Sequence, residues 1–226
     1  MLDGTTKSSL ARRRLSGRLR MTALVGVLFG AALAYVCHFP LPDFFAEAEP
    51  TYLERLFFKL TKTSPARGPD VIFVPTPQAA VNRMLELAEL KPGDVLYDLG
   101  CGDGRFVVTA AKKYGVRAAG VDIDPMRIAQ SQRNVKTNGV AHLVTILKAD
   151  IFQLDFSDAT VVTLYLLPEL NVRLMPRLAQ LKPGTRILSF DFDMRGAKPR
   201  AVEEIRPAET QRTHRIYQWT VPWEPE

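Results

Sequence analysis

The sequence predicts an α/β fold, a mostly parallel sheet with helices on both faces. Three observations predict it. From about residue 70, short apolar runs rich in Val, Ile and Leu alternate with segments of helical periodicity. The runs are apolar without strict alternation, as expected of strands buried on both faces. Glycine and proline punctuate nearly every junction.

Taken in order, a helix is expected over 77–90, carrying Val81, Met84, Leu85 and Leu87 and stopping at Lys91-Pro92-Gly93. Strands are expected over 94–99, 117–122, 143–148, 160–166 and 185–192, with helices over 104–114, 125–137 and 169–180 between them. Asp124-Pro125 reads as an N-cap followed by proline at the first helical position. The strand-like stretch 213–221 and its neighbours suggest a closing antiparallel hairpin.

The chain has 226 residues, 46% of them hydrophobic, and a net charge of +6. That composition excludes fibrous, disordered and disulfide-scaffold classes. Six basic residues and one acid lie in 1–20, so the remainder carries only +1. A general basic surface for nucleic acid is therefore not expected. Residues 21–41 hold no Asp, Glu, Lys or Arg. As a helix they would span roughly 31 Å, the thickness of a bilayer core. A single-pass anchor in a bacterial or mitochondrial inner membrane is the favoured reading. A cleaved signal peptide ending at Ala46-Glu47-Ala48 and an Arg-rich presequence are the alternatives. The expected organisation is a basic head (1–20), a transmembrane anchor (21–42), a linker with a short amphipathic helix (43–69) and a catalytic domain (70–226).

The chemistry concentrates at Asp98-Leu99-Gly100-Cys101-Gly102-Asp103-Gly104. A buried strand ends in an acid, three glycines alternate, and a helix begins. Open α/β sheets bind ligands at that place. The spacing is G-x-G-x-G and not the G-x-G-x-x-G of dinucleotide sites, and a carboxylate beside the loop repels a pyrophosphate. It favours a cationic ligand, S-adenosylmethionine. The second strand ends at Asp122, where a carboxylate suits two ribose hydroxyls. The third ends near Asp150, placed to accept from an adenine amino group, with Ile151 and Phe152 as apolar cover. Each acid alone is more often a turn or helix cap than a ligand. His38, His142 and His214 have no metal-ligand spacing, and no metal is expected.

At this point the chain resembles the class I, Rossmann-like, seven-stranded methyltransferases. Val74-Pro75-Thr76-Pro77, the stretch Val161 to Pro168 (VVTLYLLP) and the stretch Leu181 to Ser189 (LKPGTRILS) narrow the likeness. They resemble the protein-lysine methyltransferases that include the enzymes for the mitochondrial ATP synthase c-subunit and adenine nucleotide translocase, and an archaeal broad-specificity enzyme. The resemblance implies methyl transfer to a lysine ε-amine of a protein, with membrane proteins among the candidates. It implies that Asp98, Gly100, Gly102 and Gly104 hold the methionine part, Asp122 the ribose, and Asp150 with Ile151 the adenine. Pro75 and Thr76 would form an N-terminal lid. Tyr165, Leu167 and Pro168 would line the acceptor channel. Asp191 and Asp193 would accept a proton or guide the lysine, or else be solvated loop acids. Asp122 stands where a glutamate is common in the family. The Asn/Asp-Pro-Pro-Tyr sequence of many base and amide methyltransferases is absent. A methyltransferase for a membrane quinone or lipid, and a non-enzymatic adapter on the same fold, remain as alternatives.

Overall fold

The computed structural model describes residues 70–226. The expected head, anchor and linker lie outside the described residues. Among the described residues, no helix is long and apolar enough to cross a membrane.

Among the described residues, four helices and seven strands follow in chain order: α1 (Gln78–Leu87), β1 (Val95–Leu99), α2 (Arg105–Tyr114), β2 (Arg117–Asp122), α3 (Pro125–Thr137), β3 (Val144–Lys148), β4 (Val161–Leu164), α4 (Pro168–Leu178), β5 (Arg186–Phe190), β6 (Ala201–Ile205) and β7 (His214–Thr220). The local chemistry accounts for their ends. Asp124 accepts from the Met126 N–H at 2.8 Å and Pro125 occupies the first position of α3. Gly115 ends α2 at φ 67°, the left-handed cap that glycine adopts without steric cost.

The sheet order is β3-β2-β1-β4-β5-β7-β6. The first five strands pair in parallel, and β7 runs antiparallel between β5 and β6. The chain therefore winds one way from β1 through β3 and the other way from β4. The crevice opens over the carboxyl ends of β1 and β4, where the winding reverses. Successive strand residues feed opposite faces. Leu96, Val161 and Leu188 pack with α1 and α2, through Val81, Met84, Phe106 and Val107. Tyr97, Leu99, Val162 and Ile187 pack with α4 through Leu174 and Leu178, and with Trp219. The Trp219 indole N–H, fully buried, donates to the Ala197 carbonyl at 2.9 Å.

Below the sheet, Asp94 just before β1 meets Arg186 of β5 at 2.5 Å and accepts from the Thr160 hydroxyl at 2.6 Å. Arg186 also donates to the Ala88 and Glu89 carbonyls. Burial pushes the Asp94 carboxyl up. The Thr160, Arg186 and Lys91 N–H hydrogen bonds outweigh it and hold the group below the usual carboxylate range.

Candidate active site at the carboxyl ends of the strands

A cleft open to solvent on one side sits over the winding reversal. Strand ends supply its floor. Asp98, at the end of β1, is buried and accepts from the Thr163 hydroxyl of β4 at 2.8 Å. Desolvation raises its pKa to about 7 against that hydrogen bond, and the Asp122 and Asp103 charges add to the rise. Asp122, at the end of β2, accepts from the Gly102 and Asp124 N–H groups, each at 2.9 Å. Burial still lifts its pKa. Asp150 follows β3, is buried, and accepts from the Phe152 N–H at 2.9 Å. Among the described residues no cation pairs with Asp98, Asp122 or Asp150. Three carboxylates from three adjacent strands thus line one cleft. Asp103, also on the lining, is neutralised by Arg105 at 2.6 Å.

The glycine loop divides by role. Gly100 lines the cleft. Gly102 lies under the ring of Phe73, and a Cβ there would stand 2.2 Å from it at φ 53°. Gly104 begins α2 at φ 79° with Ser131 of α3 directly behind it. Gly102 and Gly104 therefore shape the loop, one under Phe73 and the other against Ser131, and of the three glycines Gly100 is the one on the cleft lining. Cys101 lines the cleft, and burial followed by the Asp98 and Asp122 charges pushes its thiol well up. It is a small spacer and a poor nucleophile.

The segment from Asp70 to Thr76 crosses the mouth. Arg105 donates to the Thr76 carbonyl, and the Arg127 guanidinium lies over the Phe73 ring at 4.3 Å. Thr76 is buried on the lining, whereas Pro75 is exposed and off it. Ile151 and Phe152 line the far end. At the other end stand Tyr165, Leu166 and Leu170. Tyr165 is half-buried, and burial with the nearby Asp191 charge raises its hydroxyl pKa. Leu167 and Pro168 begin α4 beside this wall and not on it. Asp191 also lies off the lining, and it is no solvated loop acid. Its carboxylate meets His214 Nδ1 at 2.7 Å. Asp193 is off the lining too, its backbone carbonyl held by Asn171.

The sequence reading missed Phe73, Arg127 and Leu170 on the cleft, and His214 behind it. Phe73 directly precedes Val74-Pro75-Thr76-Pro77, which was a usable signal. Arg127 and Leu170 lie on ordinary helical faces. His214 finds Asp191 only through strand pairing.

Comparison with known proteins agrees with this fold. Residues 98–201 match the ANTKMT methyltransferase domain. The chain is 44% identical over 151 residues to the protein-lysine N-methyltransferase of Saccharolobus islandicus, across 66% of this chain and 94% of that one. It is 27% identical over 121 residues to the human lysine N-methyltransferase of the ATP synthase c-subunit, across 53% of this chain and 51% of that one. The chain thus spans only about half of the human protein. The crystal structure of an RNA methyltransferase from Salinibacter ruber with S-adenosyl-L-homocysteine matches with a TM-score of 0.62 and 47% identity, over 67% of this chain and 95% of that one.

Proposed function

The chain belongs to the S-adenosylmethionine-dependent protein-lysine methyltransferases, and from that membership we propose that it methylates lysine ε-amines of a membrane protein. The observation that carries the cofactor half is the trio Asp98, Asp122 and Asp150, paired with no cation among the described residues and lining one cleft. Uncompensated buried carboxylates are costly unless a ligand completes them. Asp98 would meet the amino group, Asp122 the ribose and Asp150 the adenine. Asp122 spends one acceptor site of each oxygen on the loop and keeps the others for hydroxyls.

The cofactor supplies a methyl group activated on a sulfonium. The chain's own residues supply position and dryness. A lysine amine attacks only when neutral, and its free pKa is about 10.4. Tyr165, Leu166 and Leu170 strip water from the approaching ammonium, which favours the neutral form. Its proton leaves to solvent, so no dedicated base is needed.

The Salinibacter relative is described as an RNA methyltransferase, which makes RNA the second reading. An acidic cleft and a body carrying one net positive charge favour lysine over a polyanion. The uncharged stretch 21–41 beside six basic residues supports membrane attachment and hence a membrane substrate.

The test is to incubate the full chain in detergent with tritiated S-adenosylmethionine, total RNA and a solubilised membrane extract. Digestion to amino acids and nucleosides is expected to place the label in methyl-lysine. Label in nucleosides or lipid with none in lysine overturns the proposal.

A further inference from the structure

Behind the acceptor wall lies a second cluster that the methyl-transfer chemistry does not use. β5 ends at Phe190, and the next residue, Asp191, takes φ 62°, a left-handed conformation unusual for a residue with a side chain. Such a conformation persists only where its surroundings over-determine it. Here they do. The Asp191 N–H donates to the Arg215 carbonyl at 2.7 Å, and the Arg215 N–H returns a bond to Oδ1 at 3.2 Å. Oδ2 lies 2.7 Å from His214 Nδ1, while His214 Nε2 lies 2.9 Å from the Thr210 hydroxyl. Both imidazole nitrogens are therefore engaged, on a side chain only 11% exposed.

The imidazole stacks on Phe190 at 4.9 Å. Phe190 meets Tyr165 edge-on at 4.9 Å, and Phe192 lies nearly parallel to Tyr165 at 6.1 Å. From the other side, the buried amide of Asn171 in α4 donates to the Phe192 and Asp193 carbonyls. The result is a continuous run from the 191–193 loop, through His214 and Phe190, to the one ring of the set that faces the cleft.

We infer that the His214–Asp191 pair is a positioning device for the acceptor, holding the 191–193 loop and the Tyr165–Phe190–Phe192 wall in the one arrangement along which the substrate lysine reaches the methyl donor. Neither residue lines the cleft, so both act through Tyr165. The inference rests on the lysine reading above. A pair that merely staples β7 to β5 would affect stability and leave acceptor recognition alone.

Three variants separate these roles. Asp191→Gly removes the carboxylate and tolerates the left-handed backbone, so it folds without the pair. His214→Ala removes the imidazole. His214→Asn keeps an N–H directed at Asp191. Each full-length variant is assayed in detergent for methyl-lysine formed from a solubilised membrane extract over a range of extract concentrations, and for S-adenosylmethionine affinity by calorimetry. Asp191→Gly and His214→Ala are expected to raise the apparent acceptor KM about tenfold, with cofactor Kd within about twofold of the unsubstituted chain. His214→Asn is expected to restore most of the loss. Unchanged KM in the first two variants overturns the inference, as does a parallel loss of cofactor affinity that His214→Asn fails to rescue. Failure of the lysine reading looks different, because then the unsubstituted chain already forms no methyl-lysine.

Discussion

Asp94 and Asp98 stand four residues apart at opposite ends of one strand, and the protein treats them oppositely. Asp94 is met by a guanidinium, a hydroxyl and a backbone N–H, which together hold it ionised. Asp98 is more deeply buried, meets one hydroxyl and no cation among the described residues, and its pKa rises to about 7. A carboxylate completed by its own protein serves the fold. One left incomplete serves a ligand, and its destabilisation is recovered on binding. On the proposed reading, the amino end of the sheet is built for stability and the carboxyl end for recognition.

The sharpest way to break this contrast is Arg186→Met. It removes the cation beside buried Asp94 and the donor to the Ala88 and Glu89 carbonyls, and should cost about 3–5 kcal/mol in urea unfolding. S-adenosylmethionine affinity, measured where the variant is folded, should be unchanged. Next in size, Asp98→Asn should weaken cofactor binding about a hundredfold at pH 8, roughly 2–3 kcal/mol, while raising the melting temperature of the ligand-free protein. A fall in both would show that Asp98 is structural after all.

The two carboxylates also predict opposite pH responses. Asp98 has a folded pKa above its unfolded one, so below about 4 its burial costs nothing. Its destabilisation grows as pH rises towards about 7. Asp94 has a lowered folded pKa, so its stabilisation is present above the unfolded pKa and is lost as pH falls through the folded one. Cofactor affinity should accordingly fall as pH drops below about 7 in the native sequence and stay flatter in Asp98→Asn, as calorimetry across pH 5.5–8.5 would register. The smallest expected effect is that of Gly102→Ala. The new Cβ displaces Phe73 and strains a left-handed residue, for a loss of about tenfold in cofactor affinity.

Much of the recognition end was legible in the sequence, because it is local. Each carboxylate lies within two residues of the end of its own strand, and β1, β2 and β3 lie within two residues of their expected bounds. Asp98, Asp122 and Asp150 could be placed together from strand order alone. Pairing across the chain was not legible. Arg186 and Asp94 are 92 residues apart, His214 and Asp191 are 23 apart, and nothing in their neighbours selects these partners. The glycine loop was half legible. Its turns were read correctly. Phe73 over Gly102 is a tertiary contact that the spacing of the loop does not encode.

The winding reversal has one more consequence, for biosynthesis. β1 pairs with β4 in the register Leu96↔Val161, and Thr163 brings its hydroxyl to Asp98 only once that pairing exists. The proposed seat for the donor is therefore a seam between an early and a late stretch of polypeptide. A nascent chain that has delivered β1 to β3 from the ribosome already holds all three acids and still lacks one wall of the seat. A message truncated before codon 161 would yield a product with every acidic contact and no crevice to arrange them around.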